Sequence, residues 1–200
     1  MPVGNDVVDL RDPEALPGAV HPRFDLRVFT ARERDRLLAS CRRTRLRWRL
    51  WAAKESAFKA AVQRDAAIRF LPRRFEVRRA EGAHAEVLHA TAGRFEVRFE
   101  EEEDWIHAVA LPISSDTPQT ALELHEPGEG LQATAPSLRV RELARELVAP
   151  LLDLAPSAIR IGRTAGGIPQ VQRGDRVLPI DLSLSHHGRL VACACISGRG

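Results

Sequence analysis

The chain has 200 residues, of which 44% are hydrophobic, 28% charged and only 5% aromatic, with a formal net charge of +3. That balance suits one globular unit, or two small halves sharing a core, and excludes a disordered chain. No apolar run reaches the roughly 18 residues that a membrane span needs, and the start lacks a basic and then apolar leader, so a cytoplasmic protein is expected.

The basic residues are unevenly divided: Lys54 and Lys59 are the only lysines, and all the others are arginine. A composition that drifts toward arginine while keeping two lysines five positions apart points to places where a compact ammonium is needed. Cys41, Cys193 and Cys195 have no metal-ligand or disulfide spacing, and the last two read as small core residues on a strand.

In chain order, Gly4-Asn5-Asp6-Val7-Val8-Asp9-Leu10 reads as a short buried strand with Asp6 near its start and Asp9 in a structural role. Thr30 and Glu33 have capping-box spacing, which predicts a helix beginning at Ala31. Leu46, Leu50, Ala53 and Ala57 step by four, three and four, the stripe of a core-facing helix. Strand-like alternation follows over 75–78, 95–99 and 105–111.

Pro, Gly, Ser and Thr then gather across 114–136, which reads as a connection. Beyond it, Leu138, Leu143, Leu147 and Leu151 mark a helix. Strand-like runs follow over 158–161, 182–184 and 190–195. The expected architecture is α+β: a pseudo-twofold duplication with a first half at 1–113, a linker at 114–136 and a second half at 137–200. The active site is expected in the cleft between the halves.

Three segments carry chemistry. Asp6 sits beside a glycine at a strand end, where a carboxylate either binds a hard cation or simply caps a turn. Glu55 with lysines at 54 and 59 suits a metal-bound diphosphate, although Glu55 and Lys59 also have the spacing of an ordinary helix ion pair. Ser185-His186-His187-Gly188 lies between two strand-like runs, as a phosphate-holding turn or a solvated hairpin. Adjacent histidines on a strand point apart, which argues against a metal pair there.

Together these segments resemble the 4′-phosphopantetheinyl transferase superfamily. Its pattern is a Gly-x-Asp strand, a (Trp/Phe)-x-x-Lys-Glu-(Ala/Ser)-x-x-Lys helix and a Ser-x-Ser-His turn. The motif order resembles the short holo-acyl-carrier-protein synthases, while the length resembles the two-unit class with its motifs circularly permuted.

The resemblance implies transfer of the phosphopantetheine arm of coenzyme A to a carrier-protein serine, with release of adenosine 3′,5′-bisphosphate. It implies Mg²⁺ on Asp6 and Glu55, and catalytic roles for Glu55 and Lys59. CoA contacts would come from Lys54, Lys59, Ser185, His186, Arg163, Gly167 and Pro169, with Ile168 standing where a basic residue is common. Val8 stands where the larger class often places a third acid.

The expected partner is an acidic acyl or peptidyl carrier protein, docked near Arg43, Arg45 and Arg47, with the enzyme a monomer. The alternative is an Arg-rich nucleic-acid-binding module without catalysis. It is disfavoured by the small net charge, and it leaves Asp6 and Ser185-His186 without a role.

Overall fold

A computed structural model of the chain describes residues 1–113, 117–125 and 135–197. In the first part, β1 (Gly4–Asp9) leads to three helices, α1 (Phe24–Val28), α2 (Ala31–Ala39) and α3 (Arg43–Arg64). Four strands follow: β2 (Glu76–Glu81), β3 (His84–His89), β4 (Gly93–Glu101) and β5 (Trp105–Pro112). After these come β6 (Gln119–Leu124), α4 (Pro136–Leu152), β7 (Arg160–Arg163), β8 (Pro169–Arg173), β9 (Arg176–Val177), β10 (Ile180–His187) and β11 (Leu190–Ser197). The architecture is mixed α+β with antiparallel sheets, as expected.

The larger sheet has the order β1-β5-β4-β3-β2, so the N-terminal strand returns to lie beside the last strand of its part. A second sheet has the order β10-β11-β6, and β7, β8 and β9 form a small third one. The order strand, helix, closing hairpin therefore occurs twice, as β1-α3-β4-β5 and as β6-α4-β10-β11. In both, the final strand lies between the first and the penultimate.

Alternation along the strands assigns the faces. Ile106, Ala108 and Ala110 of β5 pack under α3 with Leu50, Ala53 and Ala57. The other face of β5, with Val109 and Leu111, meets Ala194 and Ile196 of β11. Val191, Cys193 and Cys195 on the opposite face of β11 pack against Val140, Ala144 and Val148 of α4. The second sheet is therefore held between α4 and the β1–β5 pair.

Two expectations change. Residues 119–124, read from sequence as part of the connection, are a strand of the second sheet, paired with β11 from Leu190↔Leu124 to Cys195↔Gln119. Two stretches of the composition break, 114–116 and 126–134, lie outside the described residues. The helix carrying the Lys-Glu motif starts at Arg43, a turn before the Leu46 at which its core stripe begins, so Arg43, Arg45 and Arg47 lie in its first turns.

The capping box forms: Thr30 Oγ1 accepts from Glu33 N at 3.4 Å, and Glu33 Oε2 accepts from Thr30 N at 2.7 Å. Gly4 is required by the approach of α3 to β1. A Cβ there would stand 1.9 Å from the Ser56 carbonyl oxygen and 2.6 Å from Ala60 N, both helix backbone. Gly4→Ala is thus expected to push α3 off β1 and destabilise the fold by about 3 kcal/mol, as overpacking of a rigid contact does. A thermal melt checks this.

Candidate active site

That close approach sets Asp6 of β1 against the face of α3 carrying Glu55 and Lys59. Lys59 Nζ donates to Asp6 Oδ1 at 2.9 Å, to the Asn5 carbonyl at 2.9 Å and to Ser185 Oγ at 3.3 Å. Ser185 Oγ in turn donates to Asp6 Oδ1 at 2.9 Å and accepts from Val7 N at 3.2 Å. Residues from both ends of the chain thereby share one hydrogen-bonded cluster around a single carboxylate.

Glu55 lines the same cavity, of about 320 Å³, with Trp48, Trp51, Arg163, His186 and His187. Its carboxyl receives no hydrogen bond among the described residues. Burial, reinforced by the neighbouring Asp6 charge and opposed by Lys59, raises its pKa from 4.5 to about 7. A carboxylate under such strain beside another is a site short of positive charge. The carboxylate oxygens of Asp6 and Glu55 are the kind of donor that suits a hard cation such as Mg²⁺.

His186 sits in the opposite field. Burial lowers its pKa first, and then Lys59, His187, Arg163 and Arg141 lower it further. Cations gathered around a buried imidazole favour an anion that would neutralise them. Arg141, on α4, was not visible as a site residue in the sequence, because its place beside His186 depends on how the second part folds back.

A second hollow, also about 320 Å³, shares Lys59, Arg163 and Leu184 with the first. It is bounded by Phe58, Gln63 and Arg69 and by Gly166, Gly167, Ile168 and Pro169. The loop at 164–168 is a tight turn in which Gly167 has φ +81°, Gly167 N donates to Thr164 O and Thr164 N donates to Ile168 O. Gly167 and Pro169 thus border a hollow continuous with the charged cluster. Exposed Arg69 faces the space where Ile168 supplies no charge.

Lys54 is elsewhere. Its ammonium is fully buried and donates to both Glu33 oxygens at 2.7 and 2.9 Å, to Pro72 O at 3.1 Å and to Phe75 O at 2.6 Å. Adjacent helix residues point about 100° apart, so Lys54 faces α2 while Glu55 faces the cavity. The expected contact of Lys54 with CoA is therefore withdrawn. Its lysine is needed for a structural cage.

The arginines expected to dock the carrier are ion-paired in the structure. Arg47 makes a bidentate pair with Asp25 at 2.7 and 2.9 Å, and Arg43 reaches the same carboxylate at 3.1 Å. The Arg47 hydrogen bond, acting against burial, holds Asp25 below its ordinary pKa. Arg45 pairs with Glu101 at 2.9 Å in a wide groove that also contains Arg42, Arg49, Glu102 and Glu103. Each of the three is thus paired with an acid, which lowers the local positive charge of the patch.

Asp12, Glu14 and His187 bring ligand atoms within 4.8 Å of one another near the end of β10. His187 Nδ1 is already occupied there, accepting from Asp9 N at 3.1 Å.

With this geometry in view, residues 2–110 match the family model described as the 4′-phosphopantetheinyl transferase superfamily. The chain belongs to this superfamily. The match covers more than half of the chain and includes both the Gly-x-Asp strand and the Lys-Glu helix. A search of curated proteins found no match. Membership in the superfamily makes the chain a transferase of the phosphopantetheinyl type, with CoA and a carrier protein as its general partners. No helix among the described residues is long and apolar enough to cross a membrane.

Proposed function

We propose that the chain transfers 4′-phosphopantetheine from coenzyme A to a serine of an acyl or peptidyl carrier protein and releases adenosine 3′,5′-bisphosphate. The observation that carries this reading is the convergence of Asp6, Glu55, Lys59 and Ser185 on one cavity, from strands and a helix far apart in sequence. The adjoining hollow beside Gly167 and Pro169 supports an extended nucleotide ligand lying across both.

In this reading the serine oxygen bonds to the phosphorus that carries the pantetheine arm, and the bond from that phosphorus to the bridging oxygen breaks. The serine proton passes to Glu55, directly or through water. Lys59 stabilises charge on the departing phosphate, while Ser185, neutral His186 and Arg163 hold the diphosphate in line. Mg²⁺, held by Asp6 and Glu55, supplies charge neutralisation on the diphosphate when bound.

The repeated strand, helix, hairpin order supports a duplicated pair of halves, the second beginning with β6 and the cleft between them being the active site. A monomer in the cytoplasm, acting on an acidic carrier, completes the proposal.

Lys59→Arg keeps the charge but replaces a compact donor that reaches three oxygens with a longer planar fork. The expected result is a folded protein whose CoA-dependent release of adenosine 3′,5′-bisphosphate falls by about tenfold to a hundredfold. Unchanged release would reduce the Lys59–Asp6 contact to an ordinary ion pair.

A further inference from the structure

The hairpin that carries Ser185 and His186 is not joined to β1 by a backbone ladder. Three side chains of β10 take the free N–H groups of β1 at every second residue. Ser183 Oγ accepts from Asn5 N at 2.9 Å, Ser185 Oγ from Val7 N at 3.2 Å and His187 Nδ1 from Asp9 N at 3.1 Å. A side-chain comb fixes direction and register less firmly than a ladder, because each tooth rotates about its own Cα–Cβ bond.

The comb ends in a fork. The Asp9 carboxylate is 1% exposed and accepts from Arg189 Nε at 2.8 Å, Arg189 Nη2 at 2.7 Å, Arg189 N at 3.0 Å and Arg11 N at 2.9 Å. Between His187 and Arg189, Gly188 has φ +53°, and a Cβ there would stand 2.7 Å from Asp9 Oδ2, so the turn is pressed onto this carboxylate. Arg189 also reaches Asp104 at 3.2 Å, and the Asp104 carbonyl accepts from Leu10 N at 2.8 Å. One guanidinium thus ties the turn of the second sheet to the end of β1 and to the β4–β5 turn.

We propose that Asp9 and Arg189 are a positioning pair that holds the β10–β11 hairpin so that Ser185 and His186 face Asp6, Glu55 and Lys59. The inference rests on the proposed transfer reaction for its catalytic consequence. Asp9 lies three residues along the strand from Asp6, about 10 Å away, and touches neither substrate nor reacting atoms. Its action is transmitted through strand register. A bidentate fork sets orientation as well as distance, which a single ammonium cannot do.

The test compares Arg189→Lys and Asp9→Asn with the wild-type chain. Transfer is measured at varied CoA and Mg²⁺, alongside backbone amide exchange. Arg189→Lys is expected to fold, to lose about tenfold to a hundredfold in kcat at saturating CoA and Mg²⁺, and to exchange the Val7 and Asp9 amides faster while the β4–β5 ladder stays protected. Asp9→Asn keeps the side-chain shape and gives the same pattern, so the test survives if one variant is unstable.

A pair that only stabilises the fold would lower the melting temperature yet leave kcat per folded molecule and Val7 protection at wild-type values, and that outcome overturns the proposal. If the wild-type chain transfers nothing, the functional reading falls by itself. Exchange at Val7 and Asp9 then decides whether the pair holds the hairpin.

Discussion

Lys54→Met is expected to destabilise the folded chain by about 3–5 kcal/mol, the usual cost of removing one partner of a buried ion pair. The loss leaves Glu33, 1% exposed, without its cation, and takes the ammonium donor from the Phe75 and Pro72 carbonyls, of which Pro72 keeps the Phe75 amide. Burial pulls the Lys54 amine below its ordinary pKa and Glu33 opposes that pull, so this ammonium depends on its one carboxylate. Glu33→Gln in the Lys54→Met background should recover part of the stability by removing the unpaired buried charge, although its single carbonyl oxygen serves only one of the Thr30 and Val77 amides.

Lys54→Arg should also melt earlier, since a planar fork does not fit a cage closed around an ammonium. The fraction of Lys54→Arg that folds should transfer at a near-normal rate, because Lys54 does not line the cavity. Denaturant melts combined with activity per folded molecule separate the two roles. Full stability with lost CoA binding would return Lys54 to the phosphates.

Glu55→Gln should have the opposite profile: activity lost, stability gained at alkaline pH. Glu55 has its folded-state pKa raised from 4.5 to about 7, first by burial and then by Asp6. A carboxyl raised in this way prefers its protonated form in the folded protein. The stability it contributes is therefore present below about pH 4.5 and is lost as pH rises through about 7. Across that window the metal-free wild type is expected to lose on the order of 3 kcal/mol that Glu55→Gln does not lose.

At pH 8 the variant should melt several degrees higher, and Mg²⁺ should raise the wild type toward it by binding the carboxylate. Transfer by the variant should fall by about 10²–10⁴-fold, as removal of a general base does. A variant with wild-type turnover would take Glu55 out of the chemistry. Parallel pH-dependent melts would deny that its carboxyl is strained.

Much of the site was legible because its chemistry depends on residue types that few other roles require. Asp6 after Gly4, Glu55 four residues before Lys59, and Ser185-His186 between apolar runs each pointed to the cavity they line. The capping box at Thr30 was legible because both of its partners lie within four residues. What escaped the sequence depends on distant partners. The cage around Lys54 is closed by Glu33 and by carbonyls at 72 and 75, and the arginines of α3 find Asp25 and Glu101.

The strand β6 escaped for a different reason. Gln119-Thr120-Ala121-Leu122-Glu123-Leu124 alternates weakly and lies in a stretch rich in turn formers. Only the free edge of β11 makes it a strand, a case of tertiary context overriding local preference. The comb between β1 and β10 was likewise hidden, since Ser185-His186-His187-Gly188 read as a turn, whereas β10 runs on to His187 and puts Ser183, Ser185 and His187 on one face.

The most direct measurement of the account is the intact mass of an apo carrier protein after incubation with the chain, CoA and Mg²⁺, run beside Glu55→Gln. Prediction: the carrier gains one phosphopantetheine with the wild type, an equal amount of adenosine 3′,5′-bisphosphate appears, and the folded variant produces neither. An unchanged carrier mass across acyl and peptidyl carriers would contradict it, as would equal modification by the Glu55→Gln protein.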